Sequence, residues 1–363
     1  MAAAGYGDVT VVVDERDDVF YTRAALRAHS PEQGRVTVHP TPASSSPAAL
    51  AHDVLYALGK RLAPGPDSPD AWLDSVNAAW LAAAAWAQAT GVRHVVVPRA
   101  HLLTLRRIDQ LLAWRTATGV QLTLLWQREA CKLPPVLAQV ERRLSGRARF
   151  EAILSEPGPI PACPSFPPVP PVASVPPTMT GPAVQKAHAG RSPIWPPQGT
   201  RPTGTRQDRR FHLCASAAST AQLIETTSTV EATPETVAAL HLLAHPLVAG
   251  ALSVLAFARA GLGSLRGTRD LDITGAVCTI KIHKAGHRYC SLHAVPDWAR
   301  PLLAAARAHH RLAPGPDGDS VFAPVMGSEA RDLRAHAGRL PRPGQAMPGS
   351  VLALKQWHPG RPA

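Results

Sequence analysis

Acidic residues, aromatic residues and long apolar runs are all scarce in this sequence of 363 residues. Aspartate and glutamate number 26 against 38 lysines and arginines, so a strongly acidic protein is excluded. Aromatic residues make up 5% of the chain, and the most basic C-terminal segment holds only Tyr289 and Trp298, which argues against a surface that stacks single-stranded bases. The longest apolar run, residues 78–87, is about half as long as a membrane span, so we expect no membrane segment.

Cysteine is also scarce, and its five positions are scattered. The number is odd and no Cys-x-x-Cys pair occurs, so the sequence predicts no disulfide framework and a reducing compartment. The first residues, MAAAGYGDVT, lack a basic stretch followed by an apolar one, and we therefore expect no signal peptide. Together these features predict a cytoplasmic protein.

Basic charge is what the chain has in excess, with a formal net charge of +12 and an isoelectric point near 10.2. Most of the basic residues are arginine, whose planar fork of donors fits phosphate better than lysine does. An excess of this size favours polyanionic partners, and nucleic acid is the commonest one inside cells. Chains rich in alanine, arginine and proline also become basic without binding anything, so charge alone leaves the question open.

Proline divides the chain. Residues 156–206 are dense in proline, which fixes φ and donates no backbone hydrogen bond, so this segment is predicted to be a semi-extended linker. We therefore predict an α/β domain over residues 1–155, the linker over 156–206, a mainly α-helical domain over 207–340 and a disordered tail over 341–363.

Strands and helices alternate before the linker. Apolar strands are predicted at 8–13, 34–41, 93–98 and 120–127, and helices at 21–30, 46–62, 70–91 and 104–119. Nearly continuous apolar strands separated by helices predict a mainly parallel sheet that is covered on both faces.

The N-terminal half resembles the P-loop ATPases of the AAA+ type, in particular those encoded beside transposases and integrases. In this resemblance the segment VVVDERDDVFYTRAAL, residues 11–26, takes the place of the glycine-rich phosphate loop, but it offers Asp14, Glu15, Asp17 and Asp18. Pro98 and Arg99 follow the third strand where the family has two acids, with His101 nearby, and Gln127 takes the place of the family's sensing polar residue. We expect no ATP hydrolysis and no bound cofactor. A generic α/β domain unrelated to ATPases remains an alternative.

After the linker, residues 251–311 resemble the first half of the catalytic domain of tyrosine recombinases, the phage-integrase family. The segments that carry the resemblance are the turn AGLGSLRGTRDLDI and the hairpin and helix IKIHKAGHRYCSLHAVPDWARPLL. The resemblance implies a mainly α-helical domain with a small antiparallel hairpin or sheet. It places Lys284 at the position of the catalytic lysine and Arg259 at that of the first catalytic arginine, with Asp270 at the family's spacing from Arg259.

The resemblance implies double-stranded DNA as the partner. We expect DNA contacts from the basic residues that crowd this segment, which are Arg259, Arg266, Arg269, Lys281, Lys284 and Arg288, with Arg300, Arg307 and Arg311 close by. The alternative for each arginine is a solvated helix face. No His-x-x-Arg motif is identifiable and no tyrosine follows Tyr289, so we expect no strand cleavage.

Two histidines and a cysteine near His283 are candidate ligands for zinc. The residues are His283, His287, Cys290 and His293. Histidine and cysteine are good zinc ligands, but no second pair lies nearby to complete a tetrahedron, so we predict a hairpin without a metal.

The sequence therefore predicts a DNA-binding, recombinase-like protein of a mobile element that is inactive in strand transfer. The resemblance also suggests a recombinase or ATPase subunit as a protein partner. The alternative is a protein-interaction scaffold, in which two domains are joined by a proline tether and the charge has no nucleic-acid role.

Overall fold

Five strands, all parallel, form the larger sheet of the computed structural model. They are β1 (Val9–Val13), β2 (Arg35–Thr37), β3 (His94–Val97), β4 (Gln121–Trp126) and β5 (Arg142–Leu144). Their spatial order is β2-β3-β4-β1-β5. Every residue of β3 and β4 is buried, as expected for central strands with helices on both faces.

The structure describes residues 9–42, 44, 46–62, 71–140, 142–155, 224–226, 232–258, 260, 262–283, 290–313 and 320–325. The helices in these stretches are α1 (Val19–Arg27), α2 (Ala49–Ala57), α3 (Val76–Ala89), α4 (Leu105–Thr118), α5 (Pro135–Ala138), α6 (Arg147–Ser155), α7 (Pro234–His241), α8 (Pro246–Ala258), α9 (Leu262–Leu265) and α10 (Arg300–Leu312). None of the described helices is long and apolar enough to cross a membrane.

The helices cover the parallel sheet on both faces. On one face α1 and α6 pack over the alternate strand residues Val12, Val96 and Leu125. On the other face α2, α3 and α4 pack over the residues between them, such as Val11 and Leu124. This alternation follows from the period of two along a strand. The sheet is therefore doubly wound.

The alanine-rich run at 78–87 forms most of α3, a helix that is buried nearly all round. Its side chains from Ala82 to Ala87 are all buried, because the sheet covers one face and α10 packs along another. Small side chains allow both neighbours to approach closely. The alanine-rich run is therefore part of the core between the sheet and α10.

Hydrogen bonds join the end of α7 to the N-terminal half of the chain. The last carbonyl groups of a helix have no partner within it. Here the donors are Lys60 Nζ to the His241 oxygen at 2.8 Å, Arg61 N to the Leu242 oxygen at 2.7 Å, and Trp86 Nε1 to the Ala244 oxygen at 2.7 Å. The described residues on both sides of the predicted linker accordingly belong to one compact unit.

Helices α8 and α10 cross at a point where only glycine fits. A Cβ atom on Gly250 would lie 2.6 Å from the Cβ of Ala306 and 3.3 Å from the carbonyl oxygen of Leu302. All residues of α8 from Pro246 to Phe257 are buried, so neither helix can move away without opening the core.

We expect Gly250→Ala to lower the free energy of unfolding by about 1–3 kcal/mol, because the added methyl group overpacks this crossing. Gly275→Ala is the matched control, since nothing lies within 4 Å of the Cβ it would add. Urea unfolding of both variants measures the difference. Equal stability of the two variants would show that the crossing can relax.

The smaller sheet has the order β6-β8-β7 and is built from β6 (Ile224–Thr226), β7 (Thr279–His283) and β8 (Cys290–Ala294). β7 and β8 are antiparallel, with Lys281 opposite Leu292, and β6 runs parallel to β8. Ile280 and Ile282 are buried on one face of β7, whereas Lys281 is partly exposed on the other.

At the coarse level the predicted fold class is confirmed: a parallel sheet with helices comes first, then a helical region with a small antiparallel strand pair. β5 and α6 were not predicted. The domain boundaries stay a prediction, and the predicted linker (156–206) and tail (341–363) lie outside the described residues.

Candidate functional site

Open parallel sheets bind ligands at the carboxyl ends of their strands, where two neighbouring strands send the chain to opposite faces. In this sheet that place lies between β1 and β4. The chain leaves β1 towards the face covered by α1, and it leaves β4 towards the opposite face, where Leu137 of α5 is buried. The loops after β1 and β4 therefore flank the position at which the resemblance to ATPases would place a nucleotide.

The loop after β1 is an acidic turn that fixes its own shape. The Asp14 Oδ2 atom accepts a hydrogen bond from the backbone N–H of Asp18 at 2.6 Å. The Asp18 Oδ1 atom accepts from the N–H of Phe20 at 3.0 Å and so caps α1. Arg147 of α6 donates from Nε to the Asp18 Oδ2 atom at 2.8 Å. These carboxylates occupy the helix N-terminus that a phosphate would need.

The carboxylates of this turn differ in their environments. Burial raises the pKa of Asp14, and the charges of Asp18 and Asp17 add to that effect. The pKa of Asp18 is lowered instead, by the Phe20 N–H and by Arg147. A phosphate placed here would meet at least two further negative charges, so the turn disfavours a nucleotide.

The loops after β3 and β4 complete this edge. The Gln127 Nε2 atom donates to Asp17 Oδ1 at 2.7 Å, and the residue is 5% exposed. The ring of His101 packs edge-on against Trp126 at 6.3 Å, and burial together with Arg128 lowers the pKa of His101. In the described part of the chain no group of three His, Cys, Asp or Glu side chains is arranged to hold a metal. The edge is thus lined by polar and charged side chains that bind one another.

Three of the predicted DNA-binding residues lie on neighbouring elements in the C-terminal part. We call Arg266, Arg269 and Lys281 the basic surface. Arg266 is exposed and Arg269 half-buried in the segment that follows α9, and Lys281 is partly exposed on β7. The two elements are in contact, since a Cβ on Gly267 would lie 3.9 Å from the Cβ of His283. The remaining predicted residues, Arg259, Lys284 and Arg288, lie outside the described residues.

A 3-10 turn at Asp270–Asp272 holds this segment in place. The buried Asp272 carboxylate accepts from the backbone N–H of Arg269 at 2.8 Å and lies 3.2 Å from His283 Nε2. Neither Arg266 nor Arg269 forms an ion pair with any residue that the structure describes. Their guanidinium groups are therefore available to an anionic partner.

Arg307 and Arg311, which were expected beside the DNA-binding residues, are both engaged with a carboxylate of the protein itself. Both come from α10 and bind the carboxylate of Asp270, Arg307 Nε at 2.7 Å and Arg311 Nη2 at 2.7 Å. Arg307 also donates to the carbonyl oxygen of Thr274 at 3.0 Å. Although burial raises the pKa of Asp270, the hydrogen bonds from Arg311 and Arg307 outweigh it and the pKa lies below its usual value.

The role of Asp270 as an anchor was missed by sequence reasoning. Arg307 and Arg311 are four residues apart and therefore share one helix face, which is a local signal for a common partner. Nothing local identifies that partner, because Asp270 lies 37 residues before Arg307 along the chain.

Compared with protein-family models, with curated proteins and with solved structures, the chain matches none. The resemblances described from the sequence therefore remain predictions, and function has to be argued from the geometry of the two regions above.

Proposed function

We propose that this protein binds double-stranded DNA through the basic surface, as the DNA-holding part of a recombinase-like protein of a mobile element. The observation that carries the proposal is that Arg266 and Arg269 lie on one segment, next to the strand that carries Lys281. The turn at Asp270–Asp272 anchors that segment, so its backbone needs little further ordering on binding. Strand cleavage is not part of the proposal.

The charge balance around the turn supports the same partner. The two acidic side chains of the turn are each engaged, Asp270 by two arginines and Asp272 by His283 and a backbone N–H. They therefore repel phosphate less than free carboxylates would. Arginine contacts with phosphates give affinity that depends strongly on salt and little on sequence.

The test is duplex DNA binding by the full chain across a salt series, followed by fluorescence anisotropy. The logarithm of the binding constant should fall linearly with the logarithm of salt concentration. Each neutralised phosphate contributes about −0.9 to the slope of that line. The double variant Arg266→Ala/Arg269→Ala should reduce the steepness of that line by roughly 1.8.

Arg23→Ala/Arg27→Ala is the matched control, because it removes two exposed arginines from α1 with the same change in charge. It should leave the slope unchanged. If the unmodified protein does not bind DNA at low salt, the proposal fails and the scaffold alternative takes its place. If the control pair lowers the slope as much as the test pair, binding is diffuse and does not use the basic surface.

A further inference from the structure

Leu271 stands at the tip of the anchored turn and faces solvent. It is 76% exposed, the highest value among the exposed large hydrophobic side chains in the described part of the chain. Its neighbours are both held by hydrogen bonds, Asp270 to Arg307 and Arg311 and Asp272 to the backbone N–H of Arg269. At that exposure the core gains little from an apolar side chain at this position.

The turn cannot withdraw this side chain easily. Asp270 is bound by Arg307 and Arg311, Asp272 is 6% exposed, and Ile273 is 1% exposed in the core. The backbone N–H of Asp272 also donates to the Arg269 oxygen at 3.0 Å. Leu271 is thus an exposed apolar group on a rigid support, which is the arrangement expected of a group that enters a partner.

The charges around Leu271 indicate what that partner is. Arg269 lies two residues before it, and Arg266 and Lys281 lie on the adjoining segment and strand. An exposed apolar side chain on the segment that carries Arg266 and Arg269 matches the minor groove of duplex DNA, where proteins insert leucine or similar side chains between base pairs while arginine and lysine hold the backbone.

We propose that Leu271 inserts between two base pairs from the minor groove and kinks the duplex that the basic surface holds. This inference rests on the proposed function and adds how the DNA is deformed. Insertion separates two stacked base pairs and bends the duplex towards the major groove. It should occur most readily at flexible pyrimidine–purine steps such as TA.

The other exposed apolar residues differ in their setting. Leu105 is 59% exposed and Val19 is 56% exposed, but both lie in the first turns of helices, α4 and α1, in the N-terminal half. Neither belongs to the segment that carries the basic surface. Leu105→Ala therefore provides a control with the same chemical change at a similar exposure.

The experiment measures the bend of a short duplex that carries a donor and an acceptor dye at its ends and a central TA step. The unmodified full chain should raise energy transfer by shortening the distance between the ends. Leu271→Ala should lose that rise while the salt dependence of binding stays the same, because phosphate contacts are kept. Leu271→Met, with a side chain of similar size, should retain the bend, and so should Leu105→Ala.

The outcomes separate the two proposals. If the unmodified chain fails to bind duplex DNA at low salt, both the proposed function and the insertion of Leu271 are wrong. If the unmodified chain binds with the expected salt slope but Leu271→Ala bends the duplex equally, only the insertion of Leu271 is wrong. Leu271 would then be assigned to a protein partner. If the unmodified chain and its variants bind the duplex without bending it, the insertion of Leu271 is also wrong.

Discussion

Trp86→Ala is expected to lower the free energy of unfolding by about 3–5 kcal/mol, the cost typical of removing a buried aromatic side chain. Trp86 is 0% exposed and lies in α3 between the sheet and the C-terminal helices. Its Nε1 atom donates to the Ala244 oxygen at 2.7 Å, and the Lys60 ammonium lies 3.2 Å from the centre of its ring. The substitution removes packing, a hydrogen bond and the contact with Lys60 at once.

Two control variants separate these contributions. Trp86→Phe keeps most of the packing but leaves the Ala244 oxygen without its donor, so a loss of about 1–3 kcal/mol is expected. Trp80→Ala removes a tryptophan that is only half-buried and packs against Trp114 at 6.0 Å between ring centres. Urea unfolding gives all three values. A loss for Trp86→Ala no larger than that for Trp80→Ala would contradict the assigned role of Trp86.

The parallel sheet could be predicted because its signals are local. The runs VVV at 11–13 and LLW at 124–126 are apolar at consecutive positions, and Asp18, Thr104 and Gly119 mark helix ends by side-chain or left-handed caps. β5 was missed because two of its three residues are arginine, so no apolar or alternating run marks it. The helix before it has only one turn and gives no signal of its own.

The joining of the two halves could not be predicted from the sequence. The hydrogen bond from Trp86 spans 158 residues, and the one from Lys60 spans 181. A proline-rich segment between apolar regions predicts independent domains. Composition does not show that the carbonyl groups at the end of α7 accept hydrogen bonds from residues of the N-terminal half. Charge along the sequence identifies Arg266, Arg269 and Lys281 as candidate DNA contacts, and their DNA binding stays a prediction. The bond between Arg307 and Asp270 depends on a tertiary contact, so the sequence does not reveal it.

Lys60 is expected to make stability rise with pH above neutrality. It is 4% exposed, and burial lowers the pKa of its ammonium group to about 7 from an ordinary value of 10.5. In the unfolded chain the lysine stays protonated up to its ordinary pKa. Between the two values the unfolded state binds more protons than the folded state, so the free energy of unfolding should increase by up to about 1.4 kcal/mol per pH unit.

Lys60→Met tests whether Lys60 causes this rise of stability with pH, because methionine keeps an unbranched side chain but cannot be protonated. Urea unfolding midpoints, followed from about pH 7 to about pH 9, should rise for the unmodified protein and rise less for the variant. His241, whose carbonyl oxygen accepts from Lys60, has a pKa lowered by burial, so its ring titrates below this window. Lys132→Met is the control, since Lys132 is exposed and pairs only with Glu129 among the described residues. An equal rise in all three proteins would mean that Lys60 keeps its proton, held by the Trp86 ring and the His241 oxygen.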